Sequence, residues 1–175
     1  GSPFRVIAVD GLADATGLYA APRGYLGEFA KSDRFVARLL DICRKESANV
    51  IFPGLDAELI PLAQNKALFK DHGIEVIVSS PEVVAIADDK FLTAQFLKEN
   101  GFVHPRTETE IKDDLSFPVV VKPRRGGARS VGVVICRDHK ELDAAVVNRD
   151  NFVIQEVIDG DEYTSGTLSF DGTCY

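Results

Sequence analysis

Residues 117–137 read FPVVVKPRRGGARSVGVVICR. Two runs rich in β-branched residues, 117–122 and 131–136, bracket a glycine pair and a cluster of arginines. β-branched residues suit a pleated, half-buried surface, so the pattern predicts a hairpin with a basic, glycine-rich tip. Lys122 closes the first run. Two roles fit such a tip. Glycine leaves backbone N–H groups open to phosphate oxygens, Ser130 adds a hydroxyl donor, and Lys122 at a strand end meets a phosphate as a point charge. Equally, basic side chains commonly blunt an exposed hairpin edge. Two familiar phosphate loops are excluded. Gly127 and Gly132 have P-loop spacing, but Val133-Val134 stand where Lys and Ser/Thr belong, and a strand follows in place of a helix. The dinucleotide fingerprint GxGxxG is missing here and after Phe4–Asp10.

Upstream the pattern differs. FRVIAVD (Phe4–Asp10), VIFPG (Val50–Gly54) and IEVIVS (Ile74–Ser79) are short apolar runs suited to buried parallel strands. Between them lie a helix opened by Ser32, with Phe35, Val36, Leu39, Leu40 and Cys43 at helical spacing, and a second opened by Asp56 and ended by Gly73. Alternating strand and helix predicts a doubly wound, Rossmann-like parallel sheet. The Gly11–Phe29 segment reads as a loop, which leaves the sheet truncated by one strand–helix unit. Ser80-Pro81 opens a short helix, Asp88 or Asp89 opens DKFLTAQFLKEN, and Gly101 ends it. Asp138 and Glu141 form a capping box, and 152–158 and 163–172 read as further strands. The fold class is therefore α/β: a parallel domain over residues 1–79, then an α+β domain with antiparallel pairing over residues 80–175.

Composition narrows the function. The 175 residues are 45% hydrophobic with a formal charge of −7, which disfavours generic binding to nucleic acid or anionic membrane. No run approaches a membrane span and no signal peptide precedes Phe4. Cys43, Cys136 and Cys174 lack metal-ligand spacing and read as reduced, mostly buried thiols of a cytoplasmic protein.

Two more segments carry chemistry. Lys90 falls in the first turn of its helix, where the macrodipole disfavours a cation. A ligand phosphate would reverse that sign, and so would neutralisation by Asp88 and Asp89. FVIQEVIDGDEYT (152–164) sets Gln155 and Glu156 inside an apolar strand and Glu162 just after the Gly160 turn. Buried polar groups need partners. An adenine edge would supply them, with Glu162 on the ribose hydroxyls; an edge strand with one wet face would need none.

In this order, DDKFLTAQFLKENGFVHPRT, FPVVVKPRRGGARSVGV and FVIQEVIDGDEYT resemble the ATP-grasp superfamily, in its carbamoyl-phosphate-synthase large-chain-like form. The portion before Ser80 is similar to the family's pre-ATP-grasp domain. The resemblance implies an ATP site. Lys90 matches the lysine on the α-phosphate. Lys122 matches the one on the α/β-phosphates and adenine N7. Gly126, Gly127 and Ser130 fall in the loop over the β/γ-phosphates. Gln155 matches the side chain facing the adenine amine, Glu156 and Ile158 the main-chain carbonyl and N–H at its edge, and Glu162 the ribose carboxylate. Two departures stand out. The loop is longer than the commonest spacing, with Ala128-Arg129 in place of a glycine-serine pair. The family's acidic and asparagine ligands for Mg2+ belong to a subdomain later than Tyr175, so the chain is expected to be an N-terminal fragment. The implied function is part of a ligase that activates a small carboxylate or bicarbonate with ATP for attack by an amine-type nucleophile. The competing expectation is a non-catalytic nucleotide-binding or accessory module completed by another chain. A homodimer or a partner subunit is left open, and a Rossmann dehydrogenase is disfavoured by its missing fingerprint.

Overall fold

The computed structural model describes residues 4–126, 131–170 and 172–174. The chain divides into two compact units, Gly1–Thr93 and Ala94–Tyr175.

In the first unit β1 (Ile7–Asp10), α1 (Thr16–Ala20) and β2 (Arg23–Leu26) form a β–α–β turn with parallel strands. After α2 (Phe35–Glu46), β3 (Val50–Ile51) runs parallel to β4 (Glu75–Val76), with α3 (Asp56–Gln64) and α4 (Lys66–Asp71) between them. The segment expected as a loop over 11–29 thus holds a helix and a strand. RGYL has no apolar run to reveal it. Gly24 sits where α1 crosses β2, and a side chain there would collide with the Leu18 carbonyl. Phe35, Cys43, Ile51, Leu62, Phe69, Ile74 and Val76 form the core.

Local chemistry sets the element ends. Ser80 accepts the Val83 N–H at the start of α5 (Pro81–Asp88), whose first residue is proline. Of the two candidate caps for α6 (Lys90–Glu99), Asp89 is the one used. Fully buried, it accepts the N–H groups of Phe91 (3.0 Å) and Leu92 (3.2 Å). Gly73 and Gly101, both at φ +74°, end α4 and α6 in the left-handed conformation. The α2 helix begins at Phe35, later than Ser32; the Ser32 carbonyl accepts the Phe35 N–H. Pro61 lies inside α3, and a break follows at Asn65, between α3 and α4.

The second unit is built on an antiparallel sheet with the order β5-β8-β6-β7. Its strands are β5 (Thr107–Glu108), β6 (Val119–Pro123), β7 (Val134–Cys136) and β8 (Phe152–Glu156), with α7 (His139–Val146) after β7. Asp138 accepts the Glu141 N–H at 2.8 Å, while Glu141 reaches back to the Arg137 N–H at 2.8 Å, one residue beyond a capping box. Side chains alternate across the sheet. Val119, Val121, Cys136 and Ile154 face Leu142 of α7 in a second core. Thr107, Val120, Lys122, Ile135, Val153 and Gln155 share the opposite face by register. The expected strand over 163–172 contracts to β9 (Ser169–Phe170), paired with β10 (Thr173–Cys174). Residues 161–168 are exposed and carry no strand. Of the three cysteines expected to be mostly buried, Cys43 and Cys136 are buried and Cys174 is exposed. No helix among the described residues is long and apolar enough to cross a membrane.

Candidate functional site

The hairpin places Lys122 one residue before the end of β6, half-buried, diagonally across from Gln155 on β8. Its ammonium donates to Gln155 Oε1 at 2.6 Å. The other end of that amide donates through Nε2 to Thr107 Oγ1 at 2.7 Å, and the Thr107 hydroxyl donates to the Pro105 carbonyl at 3.0 Å. A lysine, an amide and a hydroxyl from three strands therefore form a single hydrogen-bonded line on the sheet face opposite α7. A cation and a polar amide are costly to sequester unless so paired.

The next residue on β8 uses the other face. Glu156 exchanges two hydrogen bonds with Arg106: its N–H donates to the Arg106 carbonyl at 2.9 Å, and its carboxylate accepts the Arg106 N–H at 3.1 Å. The Arg106 guanidinium is held in turn by Asp114 Oδ1 (2.8 Å) and Glu108 Oε1 (3.0 Å). These carboxylates, Asp114 foremost, raise the guanidinium pKa further above its ordinary value, and Arg106 lowers that of Asp114. The Glu156 carboxylate is committed to this clasp, which anchors the strand end leading into Val157 and Ile158.

The glycine loop departs from fixed stems. The Arg124 N–H donates to the Asn151 carbonyl (3.2 Å), Asn151 Nδ2 to the Arg125 carbonyl (3.3 Å), and Arg149 Nη1 to the Gly132 carbonyl (2.8 Å). Gly126 takes φ +64°, a left-handed conformation that glycine adopts without steric cost. Gly127 and Ser130 lie outside the described residues. Ile158 and Glu162 follow β8 and are exposed. Lys90, half-buried, opens α6 in the first unit. Structure thus brings Lys122 and Gln155 into contact and sets Glu156 beside them in the chain, facing away.

Sequence reading missed Arg106 and Thr107. Their signal was present in HPRT (104–107), whose proline and threonine belong to the motif quoted above, but a two-residue strand gives no periodicity to read. Among the described residues no group of three or more His, Cys, Asp or Glu side chains is placed to hold a metal ion, so no Mg2+ cage is built from them. A shallow cleft beside α7, lined by Val134, Arg137, Glu141 and Arg149 among others, includes none of the candidate residues.

An α/β chain with a lysine–amide pair at the root of a glycine loop belongs to a definable class. Residues 87–173 match the ATP-grasp domain and residues 2–77 match the PylC-like N-terminal domain. The chain belongs to the ATP-grasp superfamily. It is 32% identical over 111 residues to a D-alanine–D-alanine ligase of Marinomonas sp., covering 57% of this chain and 35% of the relative. With the carbamoyl phosphate synthase large chain of Streptomyces coelicolor it shares 27% identity over 121 residues, 63% of this chain and 11% of that one. The fold is also that of the biotin carboxylase domain of Hydrogenobacter thermophilus 2-oxoglutarate carboxylase, a dimer crystallised with MgADP, ADP and bicarbonate. The TM-score is 0.64 at 21% identity, covering 87% of this chain and 39% of that chain. The chain therefore spans about a third of the length of the first relative.

Proposed function

We propose that this chain forms the nucleotide-grasping part of an ATP-dependent ligase, cytoplasmic in location. The whole protein would activate a small carboxylate or bicarbonate as an acylphosphate for attack by an amine-type nucleophile. The observation that carries this reading is the 2.6 Å contact between Lys122 and Gln155 at the root of the glycine loop. It sets a phosphate-seeking cation beside an amide able to read a base, on the sheet face opposite α7. In this assignment Lys122 binds the α/β-phosphates and N7, and the Gln155 carbonyl takes the adenine amine. Gly126 offers an unshielded main chain to the phosphates. The Glu156 carbonyl and Ile158 N–H meet the base edge, Glu162 holds the ribose, and Lys90 supplies a second cation for the α-phosphate. The Arg106 clasp supports this by fixing the backbone from which the base edge is read. Mg2+, when bound in the whole protein, neutralises phosphate charge; this chain's residues contribute position and cationic charge. The carboxylate acceptor is proposed by analogy with the bicarbonate in the biotin carboxylase structure.

Calorimetric titration of the chain and of its Lys122→Ala variant with ATP tests the assignment. Loss of a hydrogen bond to a charged group should weaken binding by about 1.5–3 kcal/mol. Equal affinity in the two proteins removes Lys122 from the site.

A further inference from the structure

We propose that Thr107 is a positioning residue that fixes the orientation of the Gln155 amide and thereby selects an amino-purine over an oxo-purine; this rests on the nucleotide reading above. The line from Lys122 to Pro105 has a direction. An ammonium only donates and a main-chain carbonyl only accepts, so both ends are fixed by chemistry. The Pro105 carbonyl takes the Thr107 hydroxyl proton at 3.0 Å, which leaves Oγ1 as an acceptor for Gln155 Nε2 at 2.7 Å. The amide oxygen must then point at Lys122, where it lies 2.6 Å from Nζ. Turning the amide over would set its NH2 against the ammonium and its oxygen against an oxygen whose proton is already spent. Both hydrogen bonds would be lost together.

The consequence falls on the ligand. Lys122 is the partner of Gln155 Oε1 among the described residues, and a carbonyl oxygen has two lone pairs. The second is an acceptor with a fixed address on the sheet face opposite α7. It complements the exocyclic amine of adenine and opposes the carbonyl that hypoxanthine and guanine carry in that place. A glutamine free to turn would serve either base, since its NH2 could meet the carbonyl. Selectivity therefore resides in Thr107, which under this assignment need not touch the nucleotide.

The test compares ATP with inosine triphosphate, which replaces the amine by a carbonyl, using ligand-observed NMR titration of the 175-residue chain. Thr107→Val, equal in shape but without the hydroxyl, should lower the ATP-to-ITP affinity ratio by about tenfold, and Thr107→Ser should restore it. In a Gln155→Glu background both carboxylate oxygens accept, so Thr107→Val should leave the ratio unchanged. In the free wild-type chain the Gln155 side-chain amide protons should be held in one environment that Thr107→Val disperses. A ratio unaltered by Thr107→Val in the Gln155 chain, or a freely turning Gln155 amide in the wild type, overturns the proposal. Failure of the wild-type chain to bind either nucleotide overturns the nucleotide reading itself, and the selectivity with it. The two failures are distinguished by whether the wild type binds.

Discussion

Replacing Gly24 by alanine gives a sharp test of the β1–α1–β2 turn, because two effects of opposite sign compete there. An added Cβ would lie 2.3 Å from the Leu18 carbonyl oxygen, 3.0 Å from its carbonyl carbon and 3.1 Å from its Cα. All three are backbone atoms of α1, so no side chain can turn aside. Carbon–oxygen contacts of this kind normally stand about 3.3 Å or more apart, and α1 must lift by about an ångström. Overpacking of this sort costs about 1–3 kcal/mol. Against it, alanine restricts the unfolded chain and gains about 0.4–1 kcal/mol. Overlap wins, with a net loss of about 1–2 kcal/mol. For a unit of this size that lowers the melting temperature by about 4–8 °C per kcal/mol. Gly54→Ala is the control: its Cβ meets nothing within 4 Å, so the same entropic gain should appear without the clash. Chemical denaturation followed by circular dichroism reads both. A Gly24→Ala midpoint equal to or above that of the wild type refutes the packing of α1 on β2.

The buried Glu46 carboxylate, 7% exposed, accepts hydrogen bonds from the Tyr25 hydroxyl and from Arg5. The Tyr25 bond first, then Arg23, Arg5 and Lys45, pull its pKa below the ordinary 4.5. A lowered folded-state pKa contributes stability that is present above the unfolded value and fades as pH falls through the folded one. The stability difference between wild type and Glu46→Gln should therefore shrink on acidification through the carboxylate range, and a constant difference in acid-titration melts would refute the pairing. Asp89→Ala removes the carboxylate that caps α6 and should cost about 1–2 kcal/mol in denaturant unfolding; an unchanged midpoint would show that the cap is idle. Burial raises the pKa of Cys43 and Cys136, while Cys174 is exposed. Alkylation mapped by mass spectrometry should modify Cys174 first in the native chain, and early labelling of Cys136 would contradict the second core.

Legibility in the sequence followed the range of the interactions. The hairpin around Lys122, the caps at Ser80 and Asp138 and the stops at Gly73 and Gly101 depend on neighbours a few residues away, and residue types alone identified them. The antiparallel pairing of the second half and the place of Gln155 in a strand were equally plain. Strand β2 was hidden because its character comes from pairing with β1 and from the α1 backbone above Gly24; only Tyr25 and Leu26 look strand-like. Thr107 was hidden for a related reason: its partner Gln155 is 48 residues away, and nothing local marks a threonine as the hydroxyl that orients a distant amide. Arg106 likewise acquires its role only when β5 meets β8.

Strand β8 assigns two duties by parity alone. Ile154 belongs to the hydrophobic interior while Gln155, its immediate neighbour, contacts Lys122. Inserting a single residue between Val153 and Ile154, or deleting Val153, would exchange those addresses, bringing an amide to the face of Leu142 and an isoleucine to that of the lysine. Evolution can therefore vary the identity of these side chains but not their count, and insertions and deletions that survive in descendants of this chain should fall outside the five residues of β8.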